Sequence, residues 1–152
     1  MTHLGNIEAR QAILRRLAVL SPQSPALWGR MNANQMICHL ADSYRAVMGE
    51  KPVSPATGML QRTLVKWIAL YVPVSWPKGV PTRPEMEQGV GGTPPAGFAW
   101  DRADLERVIQ SFSGPNRNFQ WHPHPIFGGM SETEWMRWGY LHADHHLRQF
   151  GV

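Results

Sequence analysis

One cysteine, three lysines and three tyrosines in 152 residues leave this chain poor in thiols, ammonium groups and phenols. The lone Cys38 rules out an internal disulfide and suits a reducing compartment. Charged residues make up only 17% against 43% hydrophobic, which excludes a disordered polyelectrolyte and points to a globular core. The formal charge is +4, yet the twelve arginines and three lysines are scattered, with only Arg15 and Arg16 adjacent. No basic stripe for nucleic acid emerges, so a nucleic-acid partner is not expected. Long hydrophobic runs are missing too. The most apolar stretch, residues 59–76, is interrupted by Gln61, Arg62, Lys66 and Pro73, so no membrane span is expected. Residues 1–6 lack the basic segment and apolar core of a secretory signal. A cytoplasmic protein with a single domain over residues 1–152 is the expectation.

Neither an internal repeat nor a strand-like alternation is present, and what remains is helical periodicity. Ile7, Ile13, Leu14, Leu17 and Leu20 form a stripe that predicts a helix over 6–20, ended by Ser21-Pro22. Asn32 or Asn34 is placed to cap a second helix running to about Met48, before Gly49. A third is predicted over 59–72, ended by Pro73. Residues 73–97 then hold six prolines and five glycines and read as an irregular excursion. Asp101 is expected to cap a helix over 102–112. Ser131 and Glu134 have capping-box spacing and open the last helix, which runs almost to the C-terminus. The fold class predicted is all-α: four main helices in a bundle, a shorter helix, and a long Pro/Gly-rich loop.

Seven tryptophans and seven histidines are the surplus that balances those shortages. His142 and His146 lie four residues apart on the last helix, where side chains at i and i+4 point the same way. Two imidazoles so placed can grip one metal ion from a single helix, and His39 is the candidate third ligand. On the helical projection Trp135, Gly139, His142, His146 and Phe150 share one face. Glu134, Arg137, Asp144 and Arg148 fall opposite, and His145 lies at the rim. The alternative is that the inward histidines are polar core residues satisfied by hydrogen bonds. His122 and His124, between prolines, read as solvated loop residues with an approach to the site as the alternative. Trp135 and Trp138 read as core, or as a pocket wall. No Glu follows His142, so the helix-borne base of a metalloprotease is missing. Asp42 and Asp144 project away from the inferred site, which leaves no general acid or base. Cys38 turns away from His39 and reads as structural.

The run Asn34-Gln35-Met36-Ile37-Cys38-His39-Leu40, with His142-Ala143-Asp144-His145-His146-Leu147-Arg148-Gln149, resembles the DinB/YfiT-like superfamily, over about residues 26–151. Trp28-Gly29-Arg30-Met31, Pro77-Lys78-Gly79 and His124-Pro125-Ile126-Phe127-Gly128 resemble a branch of it whose function is not known. The resemblance implies a four-helix bundle with His39, His142 and His146 as ligands to a divalent ion, zinc or nickel foremost. Pocket residues would be His124, Trp135 and Trp138. It further implies a small-molecule substrate, a low-molecular-weight thiol as cofactor, S-transferase activity and a homodimer. The competing expectation is a non-catalytic bundle that binds metal structurally or self-associates.

Overall fold

The computed structural model describes residues 1–56 and 58–152. Five α-helices carry the fold: α1 (Ile7–Val19), α2 (Ala33–Val47), α3 (Lys66–Tyr71), α4 (Phe98–Ser113) and α5 (Glu132–Gln149). Among the described residues there is no strand, only an isolated antiparallel bridge between His124 and Gly128. The all-α expectation stands at that level. Among those residues, no helix is long and apolar enough to cross a membrane.

Helix α2 is the element around which the rest is arranged. Its start is set by a reciprocal capping box: Gln35 N–H donates to Asn32 Oδ1 (2.9 Å) and Asn32 N–H donates to Gln35 Oε1 (3.0 Å). All of its residues except Asn34, Gln35 and Arg45 are buried. Such an all-round buried helix must be covered on several sides; α4 packs along it, and α5 crosses it. Tyr44 fastens the α5 contact by donating its hydroxyl to the Gly139 carbonyl at 2.7 Å. The close approach there requires glycine, because a Cβ on Gly139 would sit 2.7 Å from the Phe112 ring. Helix α5 begins with its own capping box, Ser131 with Glu134, as its sequence spacing predicts. Helix α1, capped by Asn6, covers α5, and Leu4, Ile13, Leu17 and Leu20 join the common core.

Two elements differ from their predicted form. Helix α4 starts at Phe98, before Asp101. The Asp101 carboxylate instead reaches back from inside the first turn, accepting from the Ala96 N–H (3.0 Å), the Gly97 N–H (2.9 Å) and Asn34 Nδ2 (2.6 Å). It thus satisfies amides just upstream of the helix and ties α4 to α2. The helix predicted over 59–72 opens into a π-helical turn, Gln61–Val65, before α3. Residues 73–97 contain only a 3₁₀ turn, Pro84–Met86, which packs on α2.

Candidate metal centre

The three histidines chosen from the sequence come together from opposite ends of the chain. A ligand nitrogen from each of His39, His142 and His146 lies within 4.8 Å of the other two. Ring centroids are 4.8 Å apart for His39 and His146, 4.9 Å for His142 and His146, and 5.5 Å for His39 and His142. A tetrahedral ion with bonds of ~2.0–2.1 Å to nitrogen needs those atoms about 3.3 Å apart. Holding an ion would therefore draw the three nitrogens closer together than the 4.8 Å that now bounds them.

The hydrogen bonds around the cluster decide which nitrogen faces inward. His39 Nδ1 lies 3.2 Å from the Met86 carbonyl. A carbonyl only accepts, so Nδ1 carries the proton and Nε2 presents its lone pair. Gln149 fixes His146 in the same way. Its Nε2 donates to the Trp28 carbonyl at 2.7 Å, which turns Oε1 toward His146 Nδ1 at 2.9 Å. His146 Nδ1 is therefore the donor, and its Nε2 is left for the centre. His142 is the odd member, with Nδ1 buried and without a hydrogen-bond partner. Buried polar atoms left unpaired are uncommon in folded proteins.

Electrostatics keep the cluster in its metal-ligating protonation state. Burial pushes the pKa values of His142 and His146 well below the ordinary histidine value, and mutual repulsion among the rings adds to this. Burial lowers His39 too, opposed by the Met86 carbonyl and the Asp42 charge. All three are neutral imidazoles at neutral pH, as metal ligation requires. Neither Asp42 nor Asp144 is available. Asp42 accepts from the Thr93 N–H (2.7 Å) and hydroxyl (2.6 Å) and pairs with Lys51 (3.2 Å), while Asp144 pairs with Arg16 and Arg148.

The surrounding residues separate the pocket expectations. Trp138 borders the cluster, 5.2 Å from the His142 ring. Trp135 lies one layer deeper, stacked on Trp121 at 5.1 Å, and is core. His124 is buried rather than solvated: its Nδ1 accepts from the Ile126 and Phe127 N–H groups, both at 3.1 Å, and its ring stacks on Phe127. It organises the connector and touches Trp138 from the far side. His122 is exposed. The Cys38 thiol is buried and pushed up to about 12 by that burial, which leaves no thiolate.

Sequence reasoning missed four contributors. Gln149 is three residues after His146, a spacing that puts both on one helix face, and this was the available signal. Trp28, Trp76 and Met86 come from loops, where no periodicity announces a partner. Trp76 lies over His142 and His145 at 6.0 and 6.1 Å, held by its indole N–H donating to the Ala69 carbonyl. Trp28 meets the half-buried His145 at 5.9 Å, edge-on.

The family model described as "Protein of unknown function (DUF1569)" matches residues 3–151. The chain belongs to the DUF1569 family. No curated protein and no solved structure matches it. The resemblance to DinB/YfiT-like proteins is corrected by this finding, since the DUF1569 match accounts for nearly the whole chain and nothing ties it to that superfamily. The physical reason is plain. A four-residue histidine spacing is what any helix needs to aim two rings at one point, so it marks a geometry and not a lineage.

Proposed function

We propose that this DUF1569 protein binds one divalent metal ion through His39, His142 and His146. The observation that carries the reading is the orientation of the donors. The Met86 carbonyl and Gln149 turn two Nε2 lone pairs inward, beside the partly buried His142, whose buried Nδ1 has no hydrogen-bond partner. Imidazole donors in this number suit zinc or nickel. Held by three neutral ligands, such an ion would supply Lewis acidity at the site. We read the architecture as a four-helix bundle of α1, α2, α4 and α5 with α3 as the short addition, and residues 73–97 as the cover of the site. No residue at the cluster points to a thiol cofactor or to S-transfer.

The test is metal content by mass spectrometry on untagged protein purified without chelator, then reloaded with several divalent ions, with His142→Ala alongside. Close to one ion per chain in the parent, and none in the variant, is the expected result. Parent protein that takes up no ion overturns the proposal.

A second reading, a metal site without catalysis, draws on the commitment of Asp42 and Asp144 to ion pairs away from the cluster. Cobalt-loaded protein separates the two. An exchangeable water on the cobalt is expected for an enzyme acting on a small molecule, and a closed four-ligand spectrum for a structural site.

A further inference from the structure

Residues 59–71 form a continuous helical segment, through the π-helical turn into α3, yet the only side chain they bury is Leu70. Thirteen residues is a length at which an isolated helix is marginal in water, and helices in proteins owe their stability mainly to a buried face. The face that this segment turns outward is apolar. Met59, Leu60, Leu64, Trp67, Ile68 and Tyr71 are all exposed, Met59 at 85%, Leu60 at 59% and Trp67 at 56%. Leu60, Leu64, Trp67, Ile68 and Tyr71 follow one another at helical spacing, so they form a stripe and not a scatter. Contiguous apolar surface of this kind marks an interaction site.

Charge and area indicate the occupant. No Asp or Glu occurs between residues 51 and 84. The two cations of the segment turn back toward the body of the protein. Lys66 pairs with Glu134 at 3.3 Å and donates to the Gly129 carbonyl, while the Arg62 side chain runs along Gly128. The outward stripe is therefore uncharged. Such a stripe is self-complementary, and the cations along the chain around it are engaged with the body of the protein, Lys78 over the Trp28 ring, Arg83 on Ser54 and Lys51 on Asp42, instead of lining the stripe as an amphipathic membrane helix requires. The six residues keep between 39% and 85% of their surface accessible, a patch on the scale of the ~800 Å² per partner that a stable interface buries. We propose that a second copy of this chain covers the 59–71 face, the two segments packing across a two-fold axis with the same patch used on both sides. The proposal is independent of the metal reading, since it uses none of the site residues.

The experiment is sedimentation velocity on the full chain from 1 to 200 µM, beside Leu64→Glu, Trp67→Glu, the milder Trp67→Ala, and Val90→Glu, an exposed site far along the sequence. Helix content by circular dichroism is recorded for each. The expected outcome is a species of twice the 17.2 kDa chain mass for the parent and for Val90→Glu. The two glutamate variants are expected to be monomers of unchanged helix content, and Trp67→Ala to dissociate at least tenfold more readily. A parent that stays monomeric to 200 µM overturns the proposal. So does a dimer that survives both glutamate variants, which would use another face. Cosedimentation of a monomeric parent with phosphatidylcholine–phosphatidylserine vesicles would make a lipid surface the occupant and overturns it equally.

Discussion

Gln149 connects three otherwise separate facts: a glycine with positive φ, a backbone carbonyl and the tautomer of a candidate ligand. Gly29 has φ +82°, and a Cβ there would meet Gln149 Nε2 at 2.5 Å. The glycine therefore admits the amide, the Trp28 carbonyl orients it, and the amide orients His146. Partners of ligating histidines typically change metal affinity by ~10–100-fold when lost. Gln149→Leu is expected to weaken metal binding by about that factor while leaving stoichiometry near one, measured by competition with a chromogenic chelator. Gly29→Ala should weaken it in the same direction; unchanged affinity in both would remove Gln149 from the site's support. His124 makes a residue-scale prediction of another kind. Its folded pKa is depressed to about 3 by burial, below the ~6.5 of the unfolded chain. The unfolded state therefore takes up the proton first. Stability from this ring is fully present above pH 6.5 and falls by ~1.4 kcal/mol per unit as pH drops toward the folded value. His124→Asn keeps an acceptor near the two amides and removes the titration. Between pH 7 and 5 the urea midpoint of the parent should fall more steeply than that of the variant. His39, His142 and His146 shift with the same sign, but both proteins contain them, so their effect cancels in the comparison.

At the scale of elements, the caps and the fastening of residues 73–97 have different origins, and this explains what the sequence could disclose. The starts of α1, α2 and α5 are local events: a side chain bonds to an amide two or three residues away, and Asn6, Asn32-Gln35 and Ser131-Glu134 announce it. The pairing of His142 with His146 is equally local, whereas His39 projects only at the edge of the apolar face of α2 and is a candidate only because that pair exists. The fastening of 73–97 is not local. Arg83 bonds Ser54, Glu85 accepts from the Ser54 N–H, Met86 meets His39, and Thr93 meets Asp42. Those partners lie dozens of residues away, beyond the reach of any periodicity. Asp101 failed as a predicted cap for a related reason. Its carboxylate serves Asn34 on another helix as well as the amides upstream. Asp42→Ala tests the fastening. It leaves the Thr93 N–H and hydroxyl without their acceptor and removes the ion pair of Lys51, which keeps the Gly91 carbonyl and the Thr93 hydroxyl, at a cost of about 2–4 kcal/mol. Limited proteolysis should then cut within residues 73–97 faster than in the parent, with α2 and α5 intact. An unaltered cleavage rate would mean that the other anchors hold the segment without Asp42.

For the whole molecule, the consequence of the site lies in where its ligands come from. His39 is on α2 and the other two are on α5, so one ion would join residues that are more than a hundred positions apart along the chain. The unfolded chain holds no such constellation, and an ion that binds only the folded state stabilises it by RT ln(1 + [L]/Kd). At a free-ion concentration a hundredfold above Kd the gain is ~2.7 kcal/mol. For a domain of this size each kcal/mol raises the melting temperature by ~2–4 °C, which gives a rise of roughly 5–10 °C on loading. Chelator should reverse it. His39→Ala should lose the response to metal whatever its own melting temperature, because two ligands from one helix no longer bridge to α2. Protein concentration must be held constant throughout, since self-association through residues 59–71 would raise the melting temperature by the same mass action. A parent whose melting temperature ignores zinc, nickel and cobalt alike would leave the three histidines as neutral rings packed between helices. A His39→Ala variant that still gains the full increment would place the bound ion somewhere other than between α2 and α5.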